Sequence, residues 1–233
     1  MIPIQIMPQP DGVTCGPTSL HAVYHYYNDT ISLNQVIKEV AYLEQGGTLA
    51  VMLATHAAKR GYKTKIYTYN LKMFDPTWLL SKQVNLIEKL QLQAKYKLDP
   101  KFQHATKAYI EFLELGGELL FEDLTPALIY RYFKNDIPIL AGLSATYLYQ
   151  CIRENTDSHN IAVGDDIKGV PEGHFVVLCG YDAEHNHVIV ADPNQENPIS
   201  ANNYYPVKMQ RLINSIMLGI ITYDANFLII EPG

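Results

Sequence analysis

The order of hydrophobic patterns along the chain is the feature that most constrains its fold. Up to about residue 136, apolar residues recur mainly with helical spacing, in segments bounded by capping residues, prolines and glycines. From Ile137 the pattern changes to short β-rich runs, at 137–143, 175–181, 188–191, 205–209 and 219–230. Helices followed by antiparallel strands predict an α+β fold, with the functional site where the two parts meet.

Turn and capping residues divide the first part into individual elements. The predicted helices are 15–28, 32–44, 48–61, 75–92, 100–115 and 125–133, and the predicted strands are 62–69 and 118–121. The stretch from Cys151 to Glu172 is polar and rich in turn-forming residues, including Asn155, Asp157, Ser158, Gly164 and Gly169. We expect it to form a long loop over the junction, where such loops often act as lids or binding elements.

Length and composition are those of one globular unit. The chain has 233 residues, of which 48% are hydrophobic and 18% are charged, so a packed core is expected and a disordered protein is excluded. No repeat and no flexible linker divides it. We therefore expect residues 1–233 to form a single domain, with a mainly helical lobe at 1–136 and a mainly β lobe at 137–233.

Net charge, hydrophobicity and cysteine content indicate which partners and which cellular compartment to expect. With 18 Lys and Arg against 24 Asp and Glu, the net charge of −6 argues against nucleic-acid binding, which needs a cationic face. No apolar run has the length of a membrane span, and no signal peptide is recognisable, so neither membrane association nor export is expected. Three cysteines make a poor disulfide framework and predict a cytoplasmic protein with at least one free thiol.

Cys15 is the first candidate for a catalytic group. It is predicted to stand at the start of a helix, where free backbone N–H groups and the helix dipole favour a thiolate. Gln9 precedes it by six residues, so a loop can bring this amide beside the sulfur, where it and the Cys15 N–H would stabilise an oxyanion. The alternative is that Cys15 is only a small buried apolar residue.

A second candidate pair lies in the β-rich part. His174 begins one predicted strand and Asp192 ends the next, so an antiparallel hairpin brings both side chains to the same end. A carboxylate beside a histidine orients the ring and keeps it basic enough to take a proton from a thiol. The alternative is a structural hairpin that contains one hydrogen-bonded histidine.

Together these segments resemble the papain-like cysteine peptidases, most closely the branch of bacteriocin double-glycine-leader peptidases and their stand-alone relatives. The shared elements are a Gln six residues before Cys-Gly, a Gly-His-Phe-Val-Val strand and a following Asp-Pro, within residues 9–27 and 173–194. The resemblance implies a two-lobed papain-like fold, with the nucleophile at the head of the central helix packed on the antiparallel sheet. It further implies Cys15 as nucleophile, His174 as general base, Asp192 as its orienting carboxylate and Gln9 as oxyanion donor.

The same resemblance implies a hydrolase that acts on a peptide or peptide-like amide bond, with no cofactor and no metal. The helical section from Phe74 to Leu115 is longer than we expect for a minimal leader-peptidase domain, and no transporter segment follows. A transporter-coupled leader peptidase is therefore not expected. Two alternatives stay open: an acyl transferase like the phytochelatin-synthase-like relatives, in which an amine replaces water, and an inactive peptide-binding module.

Other chemistry-bearing residues have weaker patterns. His21 and His25 are four apart on a helix, and His185 and His187 form a His-x-His, so a zinc site is a minor alternative. We expect surface positions for His56, His104 and His159, a buried inert thiol for Cys179 and partial exposure for Cys151. We expect Tyr147 and Tyr149 to lie at the edge of the core. Asp165 and Asp166 are expected in a solvated turn.

Overall fold

The computed structural model describes residues 1–44, 46–80, 84–156 and 162–233. The helices in these residues are α1 (Cys15–Tyr26), α2 (Leu33–Glu39), α3 (Ala50–Lys59), α4 (Pro76–Leu79), α5 (Leu86–Ala94), α6 (Pro100–Glu114), α7 (Pro126–Phe133), α8 (Ala145–Tyr149) and α9 (Met209–Leu218). The strands are β1 (Lys63–Thr68), β2 (Glu118–Leu120), β3 (Ile139–Ser144), β4 (Glu154–Thr156), β5 (Ala162–Gly164), β6 (Gly173–Asp182), β7 (His187–Ala191), β8 (Tyr204–Lys208) and β9 (Asn226–Glu231). None of the described helices is long and apolar enough to cross a membrane.

A seven-stranded sheet organises the molecule, in the order β2-β1-β9-β3-β6-β7-β8. Its neighbours are antiparallel except for β1 and β2, which are parallel. The predicted α+β class is confirmed. The sheet also takes two strands, β1 and β2, from the first 136 residues, so both sequence halves contribute to it. We propose on this basis that residues 1–233 fold as one domain.

Helices cover both faces of the sheet, and successive side chains of each strand point to opposite faces. In β6, Val177 and Cys179 pack with α1 and α3 on one face, while Val176 and Leu178 pack with α7 and α9 on the other. A strand buried on both faces has a nearly continuous apolar sequence, which is what residues 175–179 show. The strand that carries His174 is therefore held rigidly at the centre of the molecule.

Two predicted helices differ clearly from those in the structure. The single helix predicted over 75–92 is wrong, because the described residues there form two helices, α4 and α5. Asn85 starts the second one, since its side chain accepts a hydrogen bond from the Glu88 N–H at 3.2 Å. The helix predicted to reach Glu44 ends at Glu39, because Val40 is already extended with ψ of 135°.

The largest error concerns residues 209–230. The predicted strand over 219–230 begins only at Asn226, because Gly219–Thr222 form a 3-10 turn and Tyr223 has a φ of +76°. The helix α9 was not predicted, although Met209, Leu212 and Ile216 have helical spacing and are all buried.

The segment predicted as a long loop contains regular structure. Strands β4 and β5 form a two-stranded antiparallel sheet, and Glu154 forms a β-bridge with Val170. Asp157, Ser158 and His159 lie outside the described residues. Asp165 and Asp166 lie in the predicted turn, where the Asp165 carboxylate accepts hydrogen bonds from the backbone N–H groups of Ile167 and Lys168.

Candidate active site

Cys15 is the first residue of α1, so its backbone N–H has no acceptor one helical turn earlier. Thr14 occupies the N-cap position, but its hydroxyl does not cap the helix. That hydroxyl donates instead to the Asp11 carbonyl at 3.3 Å. The start of α1 therefore keeps free N–H groups and the positive end of the helix dipole beside the Cys15 sulfur.

Close packing fixes the start of α1 against its neighbours. A Cβ added to Gly16 would clash with Cγ2 of Thr48 and would lie 3.2 Å from the Phe175 ring. One turn later, the Ser19 hydroxyl donates to the Phe175 carbonyl at 3.1 Å, which ties α1 directly to β6. A glycine after Cys15 is thus required by the close approach of α1 to α3 and β6.

The hairpin of β6 and β7 brings His174 and Asp192 together, as the sequence predicts. Tyr181 pairs with Val188, and this register places the start of β6 beside the residue that follows β7. The His174 Nε2 lies 2.7 Å from Oδ1 of Asp192, and both side chains are buried. The second ring nitrogen of His174 is left for a partner on the other side of the ring.

Two tyrosines complete the surroundings of Asp192, and sequence reasoning did not assign either to the site. The Tyr149 hydroxyl donates to Oδ2 of Asp192 at 2.8 Å, and the Tyr205 hydroxyl donates to the same oxygen. The Asn194 N–H donates to Oδ1 at 2.8 Å. With His174, four donors surround one buried carboxylate, which satisfies a charge that would otherwise be costly to bury.

These contacts set the protonation states of the buried pair. Burial lowers the pKa of His174, but the Asp192 carboxylate outweighs it and, together with the nearby Cys15 thiol, raises that pKa to about 10. Burial raises the pKa of Asp192, whereas His174, Tyr205 and the Asn194 N–H lower it, and the net direction is downward. These contacts thus favour the protonated imidazole next to the ionised carboxylate.

Gln9 lies in the segment that precedes α1. Its backbone N–H donates to the Pro193 carbonyl at 2.9 Å, which anchors it next to the end of the β6–β7 hairpin. Its side-chain Nε2 donates to the Asp11 carbonyl at 2.8 Å, and Oε1 is buried without a hydrogen-bond partner among the described residues. The amide is therefore held by a fixed contact, with its other N–H free for a ligand.

A cleft of about 490 Å³ opens beside this group of residues. Gln9 and His174 line it together with Tyr149 and with Cys151 and Glu172, the two ends of the segment predicted to cover the junction. The Cys15 thiol lies close enough to His174 to raise the pKa of that ring. The structure thus places His174 beside both Asp192 and the Cys15 thiol, and Gln9 lines the same cleft as His174.

The other cysteines behave as expected from their sequence context. Cys179 is buried in β6, and burial raises the pKa of its thiol to about 12, so it is inert at neutral pH. Cys151 is exposed, and burial of its sulfur together with nearby Glu154 raises the pKa of that thiol.

The prediction of a surface position for His56 is wrong. Its ring is buried between Tyr24, whose hydroxyl lies 2.8 Å from Nδ1, and Glu39, 3.1 Å from Nε2. The rings of His21 and His25 are 6.4 Å apart. Within the described residues, no group of three or more His, Cys, Asp and Glu side chains is arranged to hold a metal ion.

Several solved structures are similar to this chain over nearly its whole length, at low sequence identity. Similar solved structures include the peptidase domain of Streptococcus ComA, a bifunctional ABC transporter, with 14% identity, 99% of each chain covered and a TM-score of 0.47. A C39-like peptidase from Bacillus anthracis shares 14% identity over 100% of this chain and 96% of its own, with a TM-score of 0.49. Xylellain, a cysteine protease from Xylella fastidiosa, shares 14% sequence identity over 100% of this chain and 84% of its own, with a TM-score of 0.47.

A search of curated protein sequences finds no match. The profile of the peptidase C39 like family, in contrast, matches residues 1–215, which include every residue of the candidate site. The predicted resemblance is confirmed: the chain belongs to the peptidase C39 like family.

Proposed function

We propose that this C39-like cysteine peptidase cleaves a peptide bond through Cys15, His174, Asp192 and Gln9. The observation that carries the proposal is the buried His174–Asp192 pair, 2.7 Å apart, with the Cys15 thiol beside the same imidazole. A thiol at the head of a helix next to a protonated histidine is in the setting that favours a thiolate.

In the first step, the Cys15 thiolate attacks the carbonyl carbon of the scissile bond. The negative oxygen that forms is held by the Cys15 backbone N–H and the free N–H of the Gln9 amide. His174 then gives its proton to the leaving amine, which departs and leaves a thioester on Cys15. Asp192 stabilises the charged imidazole and keeps the ring oriented.

In the second step, His174 takes a proton from water, which attacks the thioester and releases the acid and the thiolate. A substrate amine in place of water would give an acyl transfer with the same residues. Analysis of the products formed with and without an added amine separates the two outcomes. A cytoplasmic location and the absence of nucleic-acid and membrane partners stay predictions.

The first experiment measures the alkylation of each cysteine by iodoacetamide between pH 5 and 9, mapped by mass spectrometry. At pH 6 an ordinary thiol with a pKa of ~8.5 is only about 0.3% thiolate. We expect Cys15 to react at pH 6 about 100-fold faster than free cysteine. Cys151, an exposed thiol of the same chain whose pKa is raised, should react no faster than free cysteine.

The His174→Ala variant should slow the labelling of Cys15 at pH 6 by at least tenfold, because it removes the imidazolium beside the sulfur. His25→Ala is the matched control, since His25 is an exposed histidine on α1. Equal labelling of Cys15 and Cys151 at pH 6 in the folded protein would refute the nucleophile assignment and favour an inactive peptide-binding module.

A further inference from the structure

The cleft beside His174 is lined by acidic side chains. Its described lining residues include four carboxylates, from Asp11, Glu154, Glu172 and Glu196, and no Lys or Arg. His174 also lines the cleft, and its positive charge when protonated is balanced by the Asp192 carboxylate. A molecule that enters the cleft therefore meets a negative potential next to the catalytic residues.

Backbone hydrogen bonds fix the positions of Glu154 and Glu172 in the wall of the cleft. Glu154 and Val170 form two hydrogen bonds with each other, of 3.2 and 2.8 Å, which places Glu154 across from the chain that leads into Glu172. The Glu172 carbonyl accepts the Ala145 N–H at 2.9 Å. Glu172 precedes His174 by two residues, so their Cα atoms are at most about 7 Å apart, and both residues line the cleft.

Glu154 and Glu172 are close enough for their charges to interact. Desolvation raises the pKa of Glu172, Glu154 raises it further, and Lys101 opposes both. The Lys101 ammonium is engaged elsewhere, since it donates to the Thr222 carbonyl at 3.2 Å and lies 5.0 Å from the centre of the Tyr223 ring. None of the ion pairs between described residues includes either glutamate.

We propose that a cationic group of the substrate peptide binds between Glu154 and Glu172, within a few residues of the scissile bond. This inference rests on the proposed function, because it assumes that the cleft lined by His174 and Gln9 receives the substrate. A Lys or Arg side chain and a free α-amino group share the required chemistry. The carboxylate pair thus makes the enzyme selective for basic peptides or for peptide N-termini.

The first test does not require turnover. Cys15 is labelled with two methanethiosulfonate reagents, one carrying a trimethylammonium group and one a sulfonate, and both rates are divided by those of free cysteine. We expect the cationic reagent to be favoured at least tenfold in low salt, and the preference to shrink as salt is added. In Glu154→Gln/Glu172→Gln the ratio should fall at least fivefold.

Glu184→Gln is the matched control, because it removes the same charge at an exposed turn outside the cleft and should leave the ratio unchanged. Each single glutamate variant, checked for folding by circular dichroism, should give an intermediate ratio. A wild-type ratio near one, or a ratio that the double variant does not change, would overturn the proposal. This result would leave the assignment of Cys15 as nucleophile intact.

The second test uses peptide pools in which Arg is replaced by the neutral isostere citrulline, each with a free or an acetylated N-terminus. Faster cleavage of Arg than of citrulline peptides, by about tenfold, identifies a side-chain cation, and dependence on the free N-terminus identifies an α-amine. Cleavage that is equal in all four pools contradicts the cationic site while it supports the peptidase. Loss of the preference in Glu172→Gln assigns it to the pair.

Discussion

The hydroxyl of Tyr205 provides a direct test of how the buried carboxylate is held. Tyr205→Phe removes one hydrogen bond to Oδ2 of Asp192 and leaves the other, from Tyr149 at 2.8 Å, in place. A hydrogen bond to a charged group contributes about 1.5–3 kcal/mol to stability. Since Oδ2 keeps one donor, we expect the variant to lose about 1.5 kcal/mol of unfolding free energy at pH 7.

The pH dependence of this loss follows from the direction in which the pKa of Asp192 is shifted. That pKa is lowered in the folded protein, so the carboxylate contributes stability above its ordinary value of ~3.9, and this contribution is lost as the pH falls through the folded value. A loss of 1.5 kcal/mol corresponds to a rise of about one unit in the folded pKa. The difference between wild type and variant should therefore be constant around neutral pH and should shrink only when the pH falls through the folded pKa values of the carboxyl group.

Urea unfolding followed by circular dichroism at several pH values measures this difference. Tyr69→Phe is the matched control, because the Tyr69 hydroxyl is buried without a hydrogen-bond partner among the described residues. Its removal should change the free energy of unfolding by less than about 0.5 kcal/mol, or stabilise the protein slightly. The reasoning is refuted if Tyr205→Phe is no more destabilising than Tyr69→Phe, or if its effect grows as the pH is lowered from 7.

Two further changes test the packing and the electrostatics around the site. Gly16→Ala forces Cβ against Thr48 and should destabilise the protein by about 1–3 kcal/mol in urea unfolding. Gly12→Ala, which meets no atom within 4 Å, should not, and equal effects would contradict the argument. Asp224 accepts the first N–H of α3, from Ala50, at 2.9 Å, and burial raises the pKa of its carboxyl to about 7. Because this folded pKa lies above the unfolded ~3.9, stability is lost as the pH rises from 4 to 7, and Asp224→Asn should remove that loss; an unchanged pH profile would refute it.

The parts of the site that the sequence predicts are those that depend on local patterns. Cys15 is identified by the start of its own helix, and His174 and Asp192 by one hairpin whose two strands are adjacent in the chain. These features need only the short-range rules of capping and strand alternation. The resemblance to a family added the roles, because it fixed the order of all four residues.

The parts that could not be predicted depend on how distant elements pack. Tyr205 reaches Asp192 through the pairing of β7 with β8, and Tyr149 through the unpredicted helix α8. The acidic character of the cleft is equally non-local, since Asp11, Glu154 and Glu196 come from three separate loops and strands. A pattern along the chain contains no information on which of these side chains face the same space.

The helix α9 is a different case, because its signal was present. Met209, Leu212 and Ile216 follow helical spacing, but the high content of Ile between 213 and 221 favoured a strand. Strand propensity is a weak guide when the same residues also fit a helix face, and tertiary packing of α9 against β3 decided the outcome.

Contacts between the two ends of the chain determine when the site can form during translation. The Tyr204 hydroxyl donates to the Ile4 carbonyl, 200 positions away in the chain, and accepts the Ile6 N–H. Cys15 leaves the ribosome early, whereas its imidazole partner and the tyrosines of β8 emerge only after most of the chain has been synthesised. Under the proposed mechanism, the thiol of a nascent chain lacks its imidazole partner, so peptide cleavage begins only after these last elements have been translated.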